Sequence, residues 1–465
     1  MTDTPWTGDV VGLVDAFRSG ARAPSEELAA TLAAVEASDL NAVCHVDAEA
    51  AFAAAEDADV SLPFGGVPLA VKELLATAGW PATEASLALR DRVFEHDGIS
   101  VERLRAAGAI PAVQTTSSEF GGTNQTTTRL HGATRNPWDR SRTPGGSSGG
   151  SAAGVAGGLF ALATASDGGG SIRIPAGFCG LIGLKSTYGR IPRGPGVILG
   201  NATSVEGTVS RSVRDSARYL DVASGFDLRD PKSLPRVEGF EAGLGSHEDE
   251  IRSLRVAVAI DLGVATVGPE TAELVTAAAE ELVAATGMRR VDADVRLPRV
   301  MGAWGLTGSI GTRVSLGDRW PGCAPELGGL ERAGQEAAGE RLDIDTMAQA
   351  EARRVELNDA MASLFTQADI ILCATNPATA FAAEGRLPDV FEGIESRATN
   401  NGALTAPANI FGNPAIALPA GLASDGLPVS LQVMAPHHRE DLLLDIALRW
   451  EQDHPVVLAP RETSN

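Results

Sequence analysis

Three residues of this sequence have side chains suited to acyl transfer, namely one lysine and two serines beside clusters of glycine. Lys72 lies in the apolar segment VPLAVKELL, Ser147 in TPGGSSGG, and Ser171 directly after three glycines in SDGGGS. A serine hydroxyl can attack a carbonyl carbon when a base takes its proton and backbone N–H groups stabilise the oxyanion. Because glycine lacks a Cβ, a glycine-rich loop can bring several N–H groups close to one oxygen atom. The pattern favours a serine nucleophile in an oxyanion loop.

Lys72 is the candidate base for that serine. The chain has 35 arginines but only three lysines, and a lysine can deprotonate in a protein whereas an arginine cannot. The pKa of lysine in water is about 10.4, but burial away from carboxylates favours the neutral amine. A neutral Lys72 could therefore serve as the base for a serine hydroxyl.

Glu73 is the competing partner for this lysine, since a salt bridge between the two neighbours would keep Lys72 charged. The segment 67–72 is predicted to be a buried strand that runs into a turn. Adjacent side chains of a strand point to opposite faces of the sheet. We therefore expect Glu73 to face away from the serines.

The two serine-glycine clusters have other interpretations. They could be turns on either side of a closely packed, small-residue helix over 151–162. A phosphate-binding loop is disfavoured, because GxxxxGK[ST] is absent and neither cluster forms a strand–GxGxxG–helix unit with a suitable acid. GxSxG can be centred on Ser147 or Ser148, which leaves an α/β-hydrolase nucleophile elbow as an alternative. Such an elbow would need a histidine base, for which His437 or His438 is available.

Short apolar segments alternate with helical patterns along the whole chain. Strands are predicted within VPLAVK, GAIPAVQT, RVAVAI, ADIILCA, AIALPA and VSLQVM. Helices are predicted near the N-terminus, with one that Ser25 opens, and over 100–107 and 269–286. This alternation predicts an α/β fold with a mixed sheet and helices on both faces.

No internal repeat or low-complexity linker marks a domain boundary, so the prediction is a single domain over 1–465. It divides into four stretches. They are an N-terminal helical segment (1–60), a catalytic core (61–240), a variable substrate-binding cap (241–400) and a C-terminal return to the core (401–465).

The composition excludes several classes of protein. A hydrophobic content of 44% provides enough apolar surface for a core, which argues against disorder. A net charge of −22 argues against nucleic-acid and anionic-membrane surfaces. Neither a signal peptide nor a membrane-spanning run is expected. A cytoplasmic protein is the expectation, and a homodimer is the base-rate expectation.

The four cysteines indicate neither a metal site nor a disulfide framework, because they are widely spaced and form no CxxC pair. Cys179 could be proposed as a nucleophile. It lies in the apolar run GFCGLIG without a basic neighbour, so a buried structural thiol is predicted instead. We expect no metal and no cofactor.

Five segments together resemble the amidase signature family. They are VPLAVKELL, GATRNPWD, RTPGGSSGGSAA, SDGGGSIRIPAGFCGLIGLKSTYGRIPR and TAPANIFGNPAIALPAGLASDGLPVSLQV. The resemblance covers nearly the whole chain, although residues 240–400 match only loosely. It implies an α/β/α sandwich around a large mixed sheet. It also implies amide hydrolysis or acyl transfer by a Ser-cisSer-Lys triad without a metal.

The resemblance implies a role for individual residues of this chain. The lysine of the triad falls on Lys72, the bridging serine on Ser147 after a cis peptide bond, and the nucleophile on Ser171. The N–H groups of the oxyanion hole fall on Gly168, Gly169, Gly170 and Ser171. The supporting residues are Ser148, Asp167 and Arg173.

Two departures from the family pattern bear on substrate preference more than on activity. The usual Lys-Thr-Asn is Gln114-Thr115-Thr116 here, and the usual Thr-x-Asn is Thr126-Thr127-Thr128. Both segments are expected on the approach to the active site.

The expected function is hydrolysis of a small-molecule carboxylic amide to an acid plus ammonia or an amine, through an acyl-enzyme on Ser171. In this relay Ser147 takes the proton of Ser171 and passes its own proton to a neutral Lys72. The alternative is a glutaminase-type subunit of a tRNA-dependent amidotransferase. A catalytically inert binding protein is disfavoured, because all three triad positions are intact.

The sequence leaves the identity of the substrate open. Four aromatic residues could line an acyl pocket or pack in the core, namely Trp304, Trp320, Phe381 and Phe391. Arg313 or Arg397 could bind a substrate carboxylate.

Overall fold

The computed structural model describes residues 4–196 and 202–460, apart from the side chain of Thr307. The strands of the described part are β1 (Val43–Val46), β2 (Pro68–Lys72), β3 (Ile110–Thr115), β4 (Thr127–Thr128), β5 (Gly132–Ala133), β6 (Leu162–Asp167), β7 (Ile182–Lys185), β8 (Val205–Ser210), β9 (Arg255–Val258), β10 (Arg289–Arg290), β11 (Ile370–Ala374), β12 (Val390–Phe391), β13 (Ile394–Glu395), β14 (Ala415–Leu422) and β15 (Pro428–Met434).

The helices of the described part follow in chain order. They are α1 (Val10–Arg18), α2 (Pro24–Glu36), α3 (Ala48–Glu56), α4 (Ile99–Ala106), α5 (Gly149–Ala156), α6 (Arg173–Cys179), α7 (Val213–Ala223), α8 (Glu248–Ser253), α9 (Pro269–Thr286), α10 (Met301–Leu316), α11 (Gly329–Arg341), α12 (Ile344–Gln367), α13 (Ala406–Phe411) and α14 (Glu440–Asp453).

Within the described ranges, eleven strands form one large mixed sheet in the order β1-β3-β2-β6-β8-β7-β14-β15-β11-β9-β10. The pairs β2–β3, β2–β6, β9–β10 and β9–β11 are parallel, and the other neighbours are antiparallel. The predicted α/β/α fold with a mixed sheet is therefore confirmed. The division of the chain into four functional stretches stays a prediction.

Alternate residues of the sheet enter two different hydrophobic cores. Leu69 and Val71 of β2 pack with α1, α4, α7, α9 and α14, whereas Ala70 packs on the opposite face with α2, α3, α5 and α6. This alternation follows from the two-residue period of an extended chain, and it buries the sheet on both faces. The same period sends the side chains of Lys72 and Glu73 in opposite directions.

The helix that follows the first serine-glycine cluster packs closely, as its composition predicts. Helix α5 is fully buried and consists of glycine, alanine, serine and one valine. A Cβ on Gly150 would lie 2.4 Å from Ala42 O, and a Cβ on Gly154 would lie 2.0 Å from the ring of Phe160. Larger side chains would push the helix away from the sheet, and the loop that carries Ser147 would move with it.

Three of the predicted helices agree with the structure to within a residue at the stated ends, but the small-residue helix expected over 151–162 spans Gly149–Ala156, and Leu162 begins β6. The helix over 269–286 occurs as predicted, and the helix expected from residue 25 begins at Pro24. Proline suits the first position of a helix because its φ is already helical and its missing N–H would have no partner there. No described helix is both long and apolar enough to cross a membrane.

Candidate active site

A cavity of about 750 Å³ lies between the sheet and the helices α10 and α11. The sheet side contributes Ser147, Ser166, Gly168 and Ser171. The parallel strands β2, β3 and β6 all end at this edge of the sheet, and ligands of α/β proteins bind outside the carboxyl ends of such strands. Helices α10 and α11, which belong to the stretch predicted as a cap, supply the opposite wall.

Lys72 is the last residue of β2, and its side chain is fully buried. Its Nζ atom lies 2.8 Å from Ser147 Oγ and 2.9 Å from both Ser148 Oγ and Ser166 Oγ. Its backbone N–H donates to Thr164 Oγ1 of β6 at 2.9 Å, which fixes the end of the strand. The lysine is thus surrounded by neutral hydroxyl groups.

Burial lowers the pKa of Lys72 from its usual value of 10.5 to about 7. Removing the amine from water disfavours its charged form, and this is the dominant effect. The charges of Asp167, Glu73 and Glu206 act in the opposite direction. A substantial share of neutral lysine is therefore present at neutral pH.

Glu73 faces away from the lysine, as its position beside a strand predicts. One carboxylate oxygen accepts the N–H of Ser117 at 2.6 Å, and the other accepts the hydroxyl of Thr83 at 3.1 Å and lies 2.9 Å from Nε2 of His131. These partners hold the carboxylate on the far side of β2. Lys72 and Glu73 therefore do not form the structural ion pair that was the alternative interpretation.

Within the described residues, one group of three side chains has metal-ligating atoms close together. Cys44, Glu73 and His131 place one such atom each within 4.8 Å of one another. The Glu73 carboxylate already accepts from a backbone N–H and a hydroxyl, and the Cys44 thiol lies 3.5 Å from a backbone carbonyl. The Glu73 carboxylate and the Cys44 thiol are thus already engaged in hydrogen bonds within the protein.

Ser147 and Ser171 face the same cavity but are held differently. The Gly146–Ser147 peptide bond is cis, as the resemblance implied, and the Ser147 hydroxyl is directed at Lys72. Ser171 is half-buried and follows β6 by four residues. Among the described residues, no hydrogen-bond partner of the Ser171 hydroxyl is found. The structure therefore brings Lys72, Ser147 and Ser148 into contact, whereas the Ser171 hydroxyl, which also lines the cavity, makes no hydrogen bond with them or with any other described residue.

The loop over 168–171 offers backbone N–H groups next to Ser171. In the described part of the chain, the N–H groups of Gly168, Gly169 and Ser171 have no acceptor. Gly170 differs, because its N–H donates to Asp167 Oδ1 at 2.6 Å. This corrects the expectation that all four residues offer free N–H groups, since that of Gly170 is already used.

Gly170 instead shapes the loop. Its φ of +132° is a conformation that residues with a Cβ rarely adopt, and a Cβ here would lie 2.2 Å from Thr405 Oγ1. The Thr405 hydroxyl donates to Gly169 O at 2.6 Å, and Trp304 Nε1 donates to Gly168 O at 2.7 Å. With both carbonyls held from outside, the loop keeps its shape.

A fully buried ion pair between Asp167 and Arg173 supports this loop, as expected for these two residues. Arg173 Nε and Nη2 each donate to the Asp167 carboxylate at 3.0 Å. Arg173 also donates to Thr405 O, to Gln432 Oε1 and to Asn409 Oδ1. The guanidinium holds the pKa of Asp167 far below its usual range against the effect of burial. Every charged atom of the pair has a partner.

Replacing Asp167 with asparagine is expected to lower the free energy of unfolding by about 3–5 kcal/mol, because Arg173 would remain as an uncompensated buried charge. Urea denaturation at pH 7 measures the change. The matched control is Asp453→Asn, which breaks the exposed pair with Arg449 and is expected to cost about 0.5 kcal/mol or less. A loss below about 1 kcal/mol for Asp167→Asn would contradict the role given to this pair.

The alternative nucleophiles and bases lie elsewhere. His437 Nε2 is 2.7 Å from Phe411 O, and the N–H of His438 donates to Thr187 Oγ1. Neither histidine is among the described residues that line the cavity, which argues against the nucleophile-elbow alternative. Cys179 is fully buried, and burial raises the pKa of its thiol well above the usual range. The prediction of a structural thiol is confirmed.

The four aromatic candidates divide between pocket and core. Trp304 lines the cavity, whereas Phe381 packs edge-on against Phe178 and Phe391 is fully buried. Trp320 packs under the guanidinium of Arg313 with 4.2 Å between the guanidinium carbon and the ring centre.

Neither of the two arginines suggested for a substrate carboxylate lines the described cavity. Arg313 donates to the side chain and the carbonyl of Gln335, and Arg397 is exposed. The structure therefore supports neither arginine as a carboxylate-binding residue of this cavity. Arg193 is the basic residue among the described residues of the cavity lining.

The two departures from the family pattern are mostly buried away from the cavity. Gln114 Nε2 donates to Pro81 O, Thr115 Oγ1 pairs with Ser151 Oγ, and Thr116 Oγ1 pairs with Thr134 Oγ1. Of the two segments, Thr127 alone is among the described residues of the lining. Their expected position on the approach to the site is therefore correct only for Thr127.

Sequence reasoning missed two residues near Lys72. Ser166 is its third hydroxyl partner, and Glu206 faces Ser166 across the β6–β8 pair. Ser166 precedes the singled-out Asp167 by one residue, so the alternation along β6 was the available signal. This alternation predicts a contact between Ser166 and Lys72 only when the register between β2 and β6 is known.

Comparisons with known proteins identify relatives of the chain in sequence and in fold. The amidase family model matches residues 26–309 and 319–444. A glutamyl-tRNA(Gln) amidotransferase subunit from Synechococcus sp. (strain RCC307) is 35% identical over 480 residues, which cover 95% of this chain and 96% of that protein. An acylamidase of Rhodococcus erythropolis is 32% identical over 410 residues, covering 84% and 82% of the two chains. The crystal structure of a bacterial aryl acylamidase of the amidase signature enzymes superimposes with a TM-score of 0.89 at 26% identity, with 96% of each chain covered.

Proposed function

Because the chain belongs to the amidase family, it is an amide hydrolase, and we propose that it cleaves a carboxylic amide through an acyl-enzyme on Ser171. The products are a carboxylic acid and ammonia or an amine. The observation that carries this proposal is the fully buried Lys72 Nζ, 2.8 Å from Ser147 Oγ, beside a cavity that Ser171 also lines.

In the acylation step two protons move, a C–O bond forms at Ser171 and the C–N bond of the amide breaks. Ser171 Oγ attacks the carbonyl carbon and gives its proton to Ser147, while Ser147 gives its own proton to Lys72. When the tetrahedral intermediate collapses, the C–N bond breaks and the protons return along the same path to the leaving nitrogen. A water molecule then attacks the acyl-enzyme by the same proton transfers, which releases the acid and restores Ser171.

The hydrogen bonds around Lys72 are consistent with this direction of transfer. A neutral amine has two N–H donors and one lone pair. Ser148 Oγ donates to Ser166 O at 3.2 Å, so it accepts from Lys72. Among the described residues, the Ser147 hydroxyl has no acceptor other than Lys72 Nζ. We assign the lone pair of the lysine to the Ser147 proton.

The contact between Ser171 and Ser147 must form when substrate binds. Catalytic hydrogen bonds are often long or absent in the free enzyme and shorten in the complex with substrate. Rotation of the Ser171 side chain towards Ser147 would align the relay. The N–H groups of Gly168, Gly169 and Ser171, which have no acceptor among the described residues, are the proposed donors to the oxyanion. The role of Gly170 is to hold the loop through Asp167.

Labelling of the nucleophile tests this proposal. A fluorophosphonate is expected to add once to the purified chain, and peptide mass spectrometry is expected to place the adduct on Ser171. The same preparation is expected to hydrolyse simple aliphatic and aryl amides without a partner. An adduct on Ser148 would support the elbow alternative, and the absence of any adduct would overturn the proposal.

A second candidate function is release of ammonia from glutamine within an amidotransferase complex. It is favoured by the 35% identity to the amidotransferase subunit over 95% of this chain. The name of that relative refers to a multisubunit enzyme, so this function would require partner chains. Glutaminase activity that appears only when partner chains are added would support it, whereas efficient hydrolysis of simple amides by the chain alone would favour the first proposal.

A further inference from the structure

The described charged residues that line the cavity are mostly acidic. They are Glu84, Glu119, Arg193, Glu206 and Glu331. Glu84 pairs with Arg92. The other three glutamates have no ion-pair partner within 4 Å among the described residues. Carboxylates in a partly buried site normally have a cationic partner or a metal ion.

Glu331 is the least compensated of these carboxylates. It lies in the first turn of α11 and accepts a hydrogen bond from Gln335 Nε2 at 3.0 Å. This amide partner is neutral. Burial raises the pKa of Glu331 above its usual value. Burial therefore disfavours the charged form of this carboxylate.

Glu119 lies close to Glu331, and the two carboxylates mark one corner of the cavity. Its carboxylate accepts the hydroxyl of Ser86 at 2.7 Å and the N–H of Gly328 at 2.8 Å. Burial raises its pKa, and the charge of Glu331 raises it further. Arg129 attracts it, but the guanidinium of Arg129 donates to backbone carbonyls. Two acidic groups thus share one corner of the cavity.

This corner lies within a substrate's length of the reacting groups. A Cβ on Gly121 would lie 3.4 Å from Ser147 Oγ, and a Cβ on Gly122 would lie 3.1 Å from Glu331 Oε2. Since these glycines are consecutive, the Glu331 carboxylate is within roughly 13 Å of the Ser147 hydroxyl. Leu74 and Phe120 line the same cavity with apolar surface.

We propose that Glu331, assisted by Glu119, binds an ammonium or guanidinium group of the substrate, so that the enzyme selects amides that carry a positive charge. This inference rests on the proposed amide hydrolysis and names its substrate class. A cation at the corner supplies the partner that both carboxylates lack, and the apolar wall contacts the methylene chain that joins it to the amide. A substrate carboxylate at the same position would be repelled by two like charges.

The test compares amides of equal length that differ only in the distal group. Anilides of ω-amino acids are compared with alkanoyl anilides and with half-anilides of dicarboxylic acids. A second series carries the amine on the leaving group. In one of the two series, kcat/KM is expected to be at least ten times higher for the amine-bearing compound than for the neutral one. It is expected to be lowest for the compound with a carboxylate.

Glu331→Gln removes the charge and keeps the shape of the side chain. The ratio of kcat/KM for amine-bearing over neutral amide is expected to fall by roughly 10- to 100-fold, the value of a charged hydrogen bond. The matched control is Glu336→Gln on the same helix. Glu336 is exposed and pairs with Arg332, so this variant is expected to keep the wild-type ratio.

Binding to Ser171→Ala, measured by calorimetry, provides a readout that does not depend on turnover. The amine-bearing amide is expected to bind more tightly than its neutral counterpart, and Glu331→Gln in the same background is expected to abolish the difference. Equal rates and equal binding for charged and neutral amides in both series would overturn the inference and leave amide hydrolysis standing. Failure of the proposed function is recognised separately, because no amide would then be hydrolysed and no fluorophosphonate adduct would form.

Discussion

Replacing Ser171 with alanine is expected to lower kcat for amide hydrolysis by about 10⁶-fold, the scale found when a catalytic serine is removed. In the proposed mechanism this hydroxyl forms the acyl bond, and Ser147 is not expected to substitute for it because its own hydroxyl is held at Lys72. Burst kinetics and intact-protein mass spectrometry on a slowly deacylating ester measure the loss of both turnover and acyl-enzyme.

The structure also supplies a control for this variant. The Ser171 hydroxyl has no partner among the described residues, so its removal leaves no buried polar group unsatisfied, and the urea midpoint of the variant is expected to match that of the wild type. Turnover above about one per cent of wild type in Ser171→Ala, or an acyl group found on Ser147 or Ser148, would assign the nucleophile to another residue.

Replacing Lys72 with alanine is expected to lower kcat/KM by about 10²–10⁴-fold, the usual contribution of a general base.

The pH profile of the wild-type enzyme is expected to show the pKa of this base. Burial lowers the pKa of Lys72 to about 7, and the protonated amine cannot accept a proton from Ser147. The value of kcat/KM is therefore expected to rise with pH and to level off above about pH 7.

A second buried lysine, Lys185, provides a control that shows which lysine causes the inflection in the pH profile. Burial also lowers the pKa of Lys185 to about 7, but its Nζ donates to Ser186 O and it is not among the described residues of the cavity lining. Lys185→Met is expected to keep the inflection near pH 7 even if the fold is less stable. Loss of the inflection in Lys185→Met, with its retention in Lys72→Ala, would show that the relay ends elsewhere.

The central residues of the candidate site could be predicted because their signals are local. A lysine in an arginine-rich chain, serines beside glycine clusters and a strand ending at Lys72 are all readable without pairing information. The direction of Glu73 followed from the same strand, since a period of two fixes which face each side chain takes. These inferences needed no knowledge of which strands are neighbours.

The parts that could not be predicted depend on long-range register. Ser166 reaches Lys72 only because β6 lies parallel to β2 with Ala70 opposite Ala163. Glu119 and Glu331 are more than two hundred residues apart, and the packing of α11 against a short turn places them together. The N–H of Gly170 could not be excluded from the oxyanion hole without the loop geometry that directs it to Asp167.

The late position of two central strands has a consequence for how the enzyme is made. Strands β14 and β15 lie in the middle of the sheet, between β7 and β11, and the guanidinium of Arg173 depends on residues 405, 409 and 432 for three acceptors. A ribosome releases the N-terminal part first, so Lys72 and both serines emerge long before these partners. A nascent chain that ends before residue 405 therefore contains Lys72, Ser147 and Ser171 but lacks these three acceptors of Arg173. The loop over 168–171 is expected to reach its final shape only after residues 405, 409 and 432 have been synthesised.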